Sequence, residues 1–374
     1  HHRAAQAIID RIGADAIVSA QDRLNPHVAG RRTVYIFPHV DDADTVFLDV
    51  TGSAWPQHPN DLRRSVDTLL QSGFGVAAAS DGYLLLSKGA TGRTLDPAFY
   101  TAWQAPDQPP LGSIPVGAQF GNAGNGLRLE DYRVRSDRYG ELVVDMTWTA
   151  SEPLSQDLRF YVALLDTEGN VLHDTVYYQP VSVLWYPTSM WQPGQHVQVQ
   201  TLPWDVGADQ VVVAVGVYAG EEGWSSGGRL PVTDAAALPL LEDGTLLRLG
   251  GFARTSAGDW EALPSLPLAY ADLSTHPLEV SFGPTLRLHG AALPATARAG
   301  APLPLALEWE RDGEPPPNLS RFVHLLDNTG GKVAQVDGQV ADAFGPLPMI
   351  GWPQGAPVYD LMALPVPADL PPGN

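Results

Sequence analysis

The chain has 374 residues and no cysteine, and its 42 acidic against 22 basic residues give a formal net charge of −20. Such a chain repels phosphate backbones and anionic headgroups, so neither nucleic acid nor docking on anionic lipid through a basic patch is expected. Without cysteine it has neither a disulfide nor a thiolate for catalysis or metal binding. The length allows two or three cores, and 37 glycines with 34 prolines favour turns and short strands.

The first residues of the chain mix helical and strand patterns. Apolar residues at helical spacing predict a helix over residues 4–12. Short runs rich in β-branched and aromatic residues predict strands at 16–20, 33–38 and 45–50.

A second helix is predicted from Asn60, the expected N-cap, to a stop at Gly73. Its expected apolar face is formed by Leu62, Val66, Leu69 and Leu70. Residues 74–89 then predict a hairpin that turns at Asp81-Gly82. Together these elements predict a small α/β domain over residues 1–103.

The remainder of the chain has a strand-rich pattern. Residues 104–118 are rich in proline and glycine and lack periodicity, which predicts a linker. Strand patterns separated by turn residues follow, as is typical of antiparallel β-sandwiches. We expect one sandwich at 119–250, a linker at 251–277 and a second sandwich at 278–374. The predicted fold class is therefore α+β and multidomain.

The two sandwiches are predicted to be copies of one module. The stretch RFYVALLDTEGNV recurs as RFVHLLDNTGGKV, and further residues recur 161 positions apart. The matched pairs are Trp148 with Trp309, Asp166 with Asp327, Gly169 with Gly330, Trp191 with Trp352, and Gly194 with Gly355. The segment that matches residues 210–220 of the first copy would start near the last residue of the sequence. We therefore expect the second copy to lack its last strand or strands.

Four tryptophans of the two copies are candidates for ligand contact. Trp148 and Trp309 lie between polar neighbours in predicted strands, so we expect them inside the core. Trp191 and Trp352 lie in turns and are the candidates for exposed rings that stack on sugars. Structural packing of these two rings is the alternative.

An acidic segment between two predicted strands, FPHVDDAD at 37–44, is a candidate metal site. Imidazole and carboxylate groups bind divalent metals when they converge. The candidate ligands are His27, His39, Asp41, Asp42 and Asp44. Their spacing does not match a calcium-binding loop, and a solvated acidic loop is the alternative. We expect no cofactor.

Motifs within residues 4–89 carry a resemblance to a known family. They are Ser19-Ala20-Gln21, Pro26-His27, Arg31, Tyr35–Pro38, Asp49 and Asp81-Gly82-Tyr83. The segment resembles the extracytoplasmic tail of a family of uncharacterised bacterial polytopic membrane proteins, domain of unknown function 2079. The relatives of that family include membrane glycosyltransferases that use lipid-phosphate sugar donors. The resemblance implies a location on the extracytoplasmic face of a bacterial membrane, with membrane-spanning segments upstream.

The tandem sandwiches are similar to β-rich C-terminal extensions of some such membrane proteins. The first copy fits that pattern with LLDTEG, YPTSMWQPG and LPWDVGA, whereas the second departs from it with LPMIGWPQG. In the active relatives, catalysis depends on acidic residues in loops beside transmembrane helices. This sequence has no apolar run near the roughly 20 residues that cross a bilayer, so the resemblance assigns no catalytic residue.

Our leading hypothesis is a non-catalytic extracytoplasmic region of a polytopic membrane protein, acting as a spacer or contacting glycan or another envelope component. The absence of an initial methionine fits a portion of a longer protein. One alternative is a secreted carbohydrate-binding β-sandwich protein that uses Trp191 and Trp352. Another is a metal-dependent hydrolase that uses the histidines and aspartates of the acidic segment.

Overall fold

A computed structural model describes residues 2–52, 54–106, 108–122, 124, 126–267, 270, 273–314 and 319–371. It shows a small α/β domain followed by two β-sandwich modules, which confirms the predicted fold class. Among those residues, no helix combines the length and the apolar character needed to span a bilayer.

The N-terminal domain is built on a mixed five-stranded sheet. Its strands are β1 (Ile17–Ala20), β2 (Thr33–Ile36), β3 (Thr45–Asp49), β4 (Phe74–Ser80) and β5 (Tyr83–Lys88). They lie in the order β2-β1-β3-β5-β4. Strand β1 is parallel to β2 and β3, and β5 is antiparallel to β3 and β4.

Helices cover both faces of this sheet. They are α1 (His2–Ile9), α2 (Asn25–Val28) and α3 (Pro59–Gln71). The apolar face of α3 packs against one side of the sheet, whereas α1 and α2 cover the other. The N-cap of α3 is His58 rather than Asn60, because the His58 side chain accepts a hydrogen bond from the Asn60 backbone N–H at 3.2 Å. Pro59 has no N–H to cap, so it fits the first helical position.

The first sandwich contains two packed sheets. Its strands are β6 (Ile114–Phe120), β7 (Leu127–Ser136), β8 (Leu142–Ala150), β9 (Leu158–Leu165), β10 (Val171–Asp174), β11 (Val197–Gln200), β12 (Gln210–Ala219), β13 (Val232–Asp234), β14 (Leu240–Leu241), β15 (Leu246–Arg254) and β16 (Trp260–Ala262). One sheet has the order β11-β8-β7-β6-β13; the other has β10-β9-β12-β15-β14, with β16 beside β15. A short helix, α4 (Val181–Trp185), lies between β10 and β11.

This sandwich is longer than the sequence predicted. Strand β6 starts inside the predicted linker 104–118, and β15 and β16 continue past residue 250 into the predicted linker 251–277. Phe252 and Trp260 are buried in the core of the first sandwich. Their burial outweighs the local proline and glycine signal that marked this segment as a linker.

The second sandwich repeats one sheet of the first. Its strands are β17 (Ser274–Phe282), β18 (Leu286–Leu293), β19 (Pro302–Arg311), β20 (Arg321–Leu326), β21 (Lys332–Gly338), β22 (Ala341–Asp342), β23 (Gly345–Pro346) and β24 (Pro357–Pro365). The sheet order β24-β19-β18-β17 matches β11-β8-β7-β6. The registers match too, because Trp148 pairs with Val197 and Trp309 with Val358, again 161 positions apart.

The turns after β9 and β20 show the same repeat. Oδ1 of Asp166 accepts two backbone hydrogen bonds at 2.8 Å, and Oδ1 of Asp327 does the same. Gly169 and Gly330 both have positive φ, at 89° and 82°. Side-chain hydrogen bonds from Asn170 and Thr329, together with these backbone bonds, hold the pKa of both aspartates below the ordinary value.

The second sheet of the second sandwich is incomplete. Strand β9 lies between β10 and β12, whereas β20 pairs only with β21 in the part of the chain that the structure describes. Among the described residues, this sheet contains no counterpart of β12 or β15. The prediction that the second copy lacks its last strands is thereby confirmed.

The two sandwiches are docked against each other. Arg248 of β15 forms a buried ion pair with Asp342 of β22, and its Nη1 donates to Oδ1 at 3.0 Å. The Phe344 ring packs on the outer face of the first sandwich, next to Gly251. A Cβ atom on Gly351 would overlap the carbonyl oxygen of Leu240, so a glycine permits this close approach.

Candidate functional site

The two candidate sugar-stacking tryptophans are buried. Trp191 is 2% exposed and Trp352 is 1% exposed. Each indole N–H donates to the carbonyl oxygen five residues earlier, Tyr186 and Leu347 respectively, at 3.0 Å. Of the two alternatives for these rings, structural packing is the one that the structure shows and exposed sugar stacking is wrong, because each short turn folds its ring inward between the sheets.

The candidate metal ligands do not assemble. No group of three or more His, Asp or Glu side chains in the described ranges could hold a metal ion, and His27, His39, Asp41, Asp42 and Asp44 belong to those ranges. Two of these carboxylates have local structural partners instead. Asp42 accepts from the Tyr35 hydroxyl at 2.8 Å, and Asp44 accepts from the Thr45 hydroxyl at 2.8 Å. The bond to Asp42 raises the pKa of Tyr35.

Several residues of the family resemblance fasten loops to the N-terminal sheet. Ser19 donates to the carbonyl oxygen of His39 at 2.8 Å, and the backbone N–H of Asp49 donates to the Gln21 side chain at 2.7 Å. Arg23 forms an ion pair with the buried Asp49 carboxylate at 3.1 Å. Ser19, Gln21 and Asp49 therefore stabilise the fold of the N-terminal domain.

A cleft between the N-terminal domain and the first sandwich is the better candidate site. It has a volume of about 710 Å³ and is formed by α3, the segment 93–100 and the region around α4. The lining residues are Arg63, Arg93, Thr94, Leu95, Pro97, Tyr100, Asp157, Val183, Leu184, Trp185, Pro187 and Met190. Neither domain forms this cleft alone.

Arg63 joins the two sides of the cleft. Its guanidinium lies 4.7 Å from the centre of the Trp185 ring, and its Nη1 donates to the carbonyl oxygen of Leu184 at 3.2 Å. Its Nε also donates to Asp67 on the same helix at 3.2 Å. Arg63 thus holds α3 against α4 and gives this wall a fixed positive charge.

Tyr100 forms an aromatic wall of the cleft. Its ring stacks on Tyr186 with 4.8 Å between the ring centres and an angle of 27°. Burial raises the pKa of Tyr100, against the opposing effect of the Arg63 charge. The hydroxyl is therefore neutral at physiological pH and serves as a hydrogen-bond donor or acceptor rather than as a base.

Arg93 is the exposed cation of the cleft. Its Nη1 donates to the carbonyl oxygen of Phe74, which anchors the guanidinium at the domain boundary. Asp157 is the only carboxylate among the lining residues, and it accepts from the Ser189 backbone N–H at 3.2 Å. The lining contains two arginines and one aspartate on a chain of net charge −20, and because Arg63 is paired with Asp67, Arg93 is the cation that the cleft offers to an anion.

Sequence reasoning missed this cleft. Arg63, Arg93, Tyr100 and Trp185 come from separate segments of the chain, and none belongs to a motif. Only the docking of the N-terminal domain on the first sandwich brings them together. A smaller pocket of about 420 Å³ beside Pro38 lies within the N-terminal domain, and its Arg64 is already paired with Asp61.

The protein is β-rich and multidomain. The cleft between its N-terminal domain and its first sandwich is lined by arginine and aromatic side chains. No protein-family model matches the sequence, and no curated protein shows significant similarity to it.

Proposed function

We propose that this chain is a non-catalytic module that contacts an acidic glycan of the cell envelope through the interdomain cleft. The observation that carries the proposal is the combination of Arg63, Arg93 and the Tyr100 ring in one cleft of a strongly acidic chain. The two docked sandwiches would serve as the spacer that positions this cleft.

The chemistry of the cleft fits a sugar that carries carboxylate or phosphate groups. Arginine presents a planar fork of N–H donors that matches such anions, and aromatic rings pack against the apolar faces of sugar rings. The acidic surface elsewhere repels an anionic polymer, which would confine binding to this cleft. Affinity is therefore expected to fall as salt rises.

Calorimetric titration with tetragalacturonic acid, with neutral cellotetraose as the comparison, tests the proposal. We expect heat only from the acidic oligosaccharide and a loss of about tenfold in affinity for Arg93→Gln, about 1.4 kcal/mol. The matched control is Arg138→Gln, because Arg138 is also exposed and lies 4.7 Å from the ring of an exposed tyrosine, Tyr139, outside the cleft. This control is expected to bind as the wild type does.

Two results would contradict glycan binding at the cleft. One is equal heat from the neutral and acidic oligosaccharides. The other is an equal loss of affinity in Arg93→Gln and Arg138→Gln, since that would indicate attraction by overall charge alone.

We further propose that the chain is the extracytoplasmic part of a bacterial polytopic membrane protein of the domain of unknown function 2079 family. The motifs in residues 4–89 support this proposal. Reading the coding DNA upstream of His1 tests it. Several in-frame apolar segments of about 20 residues would support it, whereas a start codon directly before His1 would contradict it.

A further inference from the structure

The two walls of the interdomain cleft carry charges of opposite sign. Arg93 belongs to the wall formed by the N-terminal domain, whereas Asp157 belongs to the wall formed by the first sandwich, just before β9. Both side chains are exposed. A ligand that fills the cleft therefore meets a cation on one side and a carboxylate on the other.

Neither of these two charges is neutralised by the protein. Nη1 of Arg93 donates to the carbonyl oxygen of Phe74, and Oδ1 of Asp157 accepts from the backbone N–H of Ser189 at 3.2 Å. Within the described ranges, neither side chain forms an ion pair with the other or with a third residue. Both charges therefore line the same cleft and are available to a ligand.

Backbone hydrogen bonds hold Asp157 at the cleft wall. Next to the bond from Ser189, the backbone N–H of Leu158 donates to the Thr188 hydroxyl at 2.7 Å. These two bonds fasten the start of β9 to the short helical turn Thr188–Met190. The position of the carboxylate is thereby fixed, while no described residue donates to its Oδ2.

The rest of the lining fits the body of a sugar. It includes the Tyr100 ring, which is stacked on Tyr186, and the apolar side chains of Leu95, Pro97 and Met190. Aromatic and aliphatic surfaces pack against the C–H faces of a pyranose ring. The volume of about 710 Å³ lies within the roughly 300–1,000 Å³ of small-ligand sites, so a sugar unit and its charged substituents fit inside.

We propose that the acidic glycan bound at this cleft is zwitterionic, with a carboxylate or phosphate group that binds Arg93 and an ammonium group that binds Asp157. This inference rests on the proposed function, because it starts from the binding of an anion by Arg93 and adds the group on the opposite wall. A sugar with anionic groups alone leaves the Asp157 carboxylate unpaired and repelled by them. A sugar with both groups pairs with both walls, and charge-assisted hydrogen bonds then fix its orientation.

Glucosamine 6-phosphate is the probe, and glucose 6-phosphate is the matched comparison. The two differ only at C2, where an ammonium replaces a hydroxyl of similar size, and C2 lies across the pyranose ring from the phosphate. Ligand-observed NMR titration at mildly acidic pH, where the sugar ammonium is protonated, measures both affinities. We expect the wild-type chain to bind glucosamine 6-phosphate about fivefold more tightly, because an ion pair with an exposed carboxylate contributes only modestly.

Asp157→Asn should abolish this preference. The amide has the size of the carboxylate and can still accept the hydrogen bond from Ser189, so only the charge is lost. The matched control is Asp234→Asn, since Asp234 is also exposed, accepts a backbone hydrogen bond from Ala236 at 2.8 Å and lies outside the cleft. This control should retain the preference, which separates contact at Asp157 from the attraction of any cation to an acidic chain.

Glucose 6-phosphate distinguishes a failure of this inference from a failure of the proposed function. Equal wild-type affinities for the two phosphates, or a preference that persists in Asp157→Asn, would overturn the zwitterionic ligand and leave anion binding at Arg93 intact. A preference that is lost equally in Asp157→Asn and Asp234→Asn would overturn it as well. If neither phosphate binds, the proposed function and this inference both fail.

Discussion

The two sandwiches have the same turns and one matching sheet, but their cores differ in chemistry. In the first sandwich, Phe160 and Val199 are fully buried. The centre of the Phe160 ring lies 4.8 Å from that of Trp148 and 6.1 Å from that of Trp191. At the same positions the second sandwich has Arg321 and Asp360, which form an ion pair at 2.9 Å. A repeated backbone therefore does not require a repeated core.

The ion pair belongs to a sandwich whose second sheet is incomplete. The Asp360 carboxylate is fully buried, and burial raises its pKa against the opposing effect of Arg321. The Arg321 side chain is only 11% exposed, and its Nη1 is buried without a hydrogen-bond partner, so the pair places two charges inside this core. Such burial is costly unless the two charges stay paired. Equivalent positions of the two modules therefore contain an apolar pair in one core and a buried ion pair in the other.

The largest expected effect comes from the buried turn tryptophans. Trp191→Ala and Trp352→Ala should each lower the free energy of unfolding of their own sandwich by about 3–5 kcal/mol, because each leaves a cavity between the sheets. Urea unfolding, with amide exchange to locate the effect, measures this. The control is Met190→Ala, next to Trp191 but exposed, which should change little. Near-wild-type stability of both tryptophan variants would mean that the rings do not support the cores.

The next effect concerns the buried ion pair. Asp360→Val should lower the free energy of unfolding of the second sandwich by about 3 kcal/mol, because it leaves Arg321 without its charged partner. Adding Arg321→Phe restores the residue pair of the first sandwich and should recover most of that loss. Urea unfolding of the single and double variants measures the coupling. Equal loss in both variants would show that the pair is not coupled.

A smaller effect is expected at the contact between the sandwiches. Gly351 occupies the position of Met190 in the first copy. Gly351→Met should weaken docking by about 1–3 kcal/mol, because any side chain there meets the Leu240 carbonyl oxygen. Small-angle scattering should detect the separation of the sandwiches, and Met190→Leu is the control. An unchanged scattering profile would contradict the close packing seen at Gly351.

The smallest effect concerns the two matched aspartate turns. The pKa values of Asp166 and Asp327 are lowered in the folded protein. Each ionised carboxylate therefore stabilises the fold at pH values above the ordinary carboxyl pKa of about 3.9. This stabilisation is lost as the pH falls through the lower pKa of the folded state. Asp166→Ala and Asp327→Ala should therefore weaken each turn at neutral pH, and the difference from wild type should shrink in acid. Amide exchange at Gly169 and Gly330 across this pH range measures it. A difference that persists in acid would contradict a role for the ionised carboxylates.

Local pattern in the sequence was sufficient for part of the fold. Alternating and helical apolar patterns located the strands and helices of the N-terminal domain, and the constant offset identified the second sandwich as an incomplete copy. Periodicity fails where burial depends on distant partners. It therefore placed the end of the first sandwich at residue 250, inside β15, and it left the exposure of Trp191 undecided.

The sequence by itself determined the repeat, the fold class and the acidic charge, because each depends on residues close in the chain or on a constant spacing. Only the tertiary structure decided that Trp191 and Trp352 fill cores and that the candidate metal ligands stay apart. It alone also decided that Arg63, Arg93 and Tyr100 share a cleft. The physical reason is that burial and convergence of side chains depend on how domains pack, and no pattern within one segment records that packing.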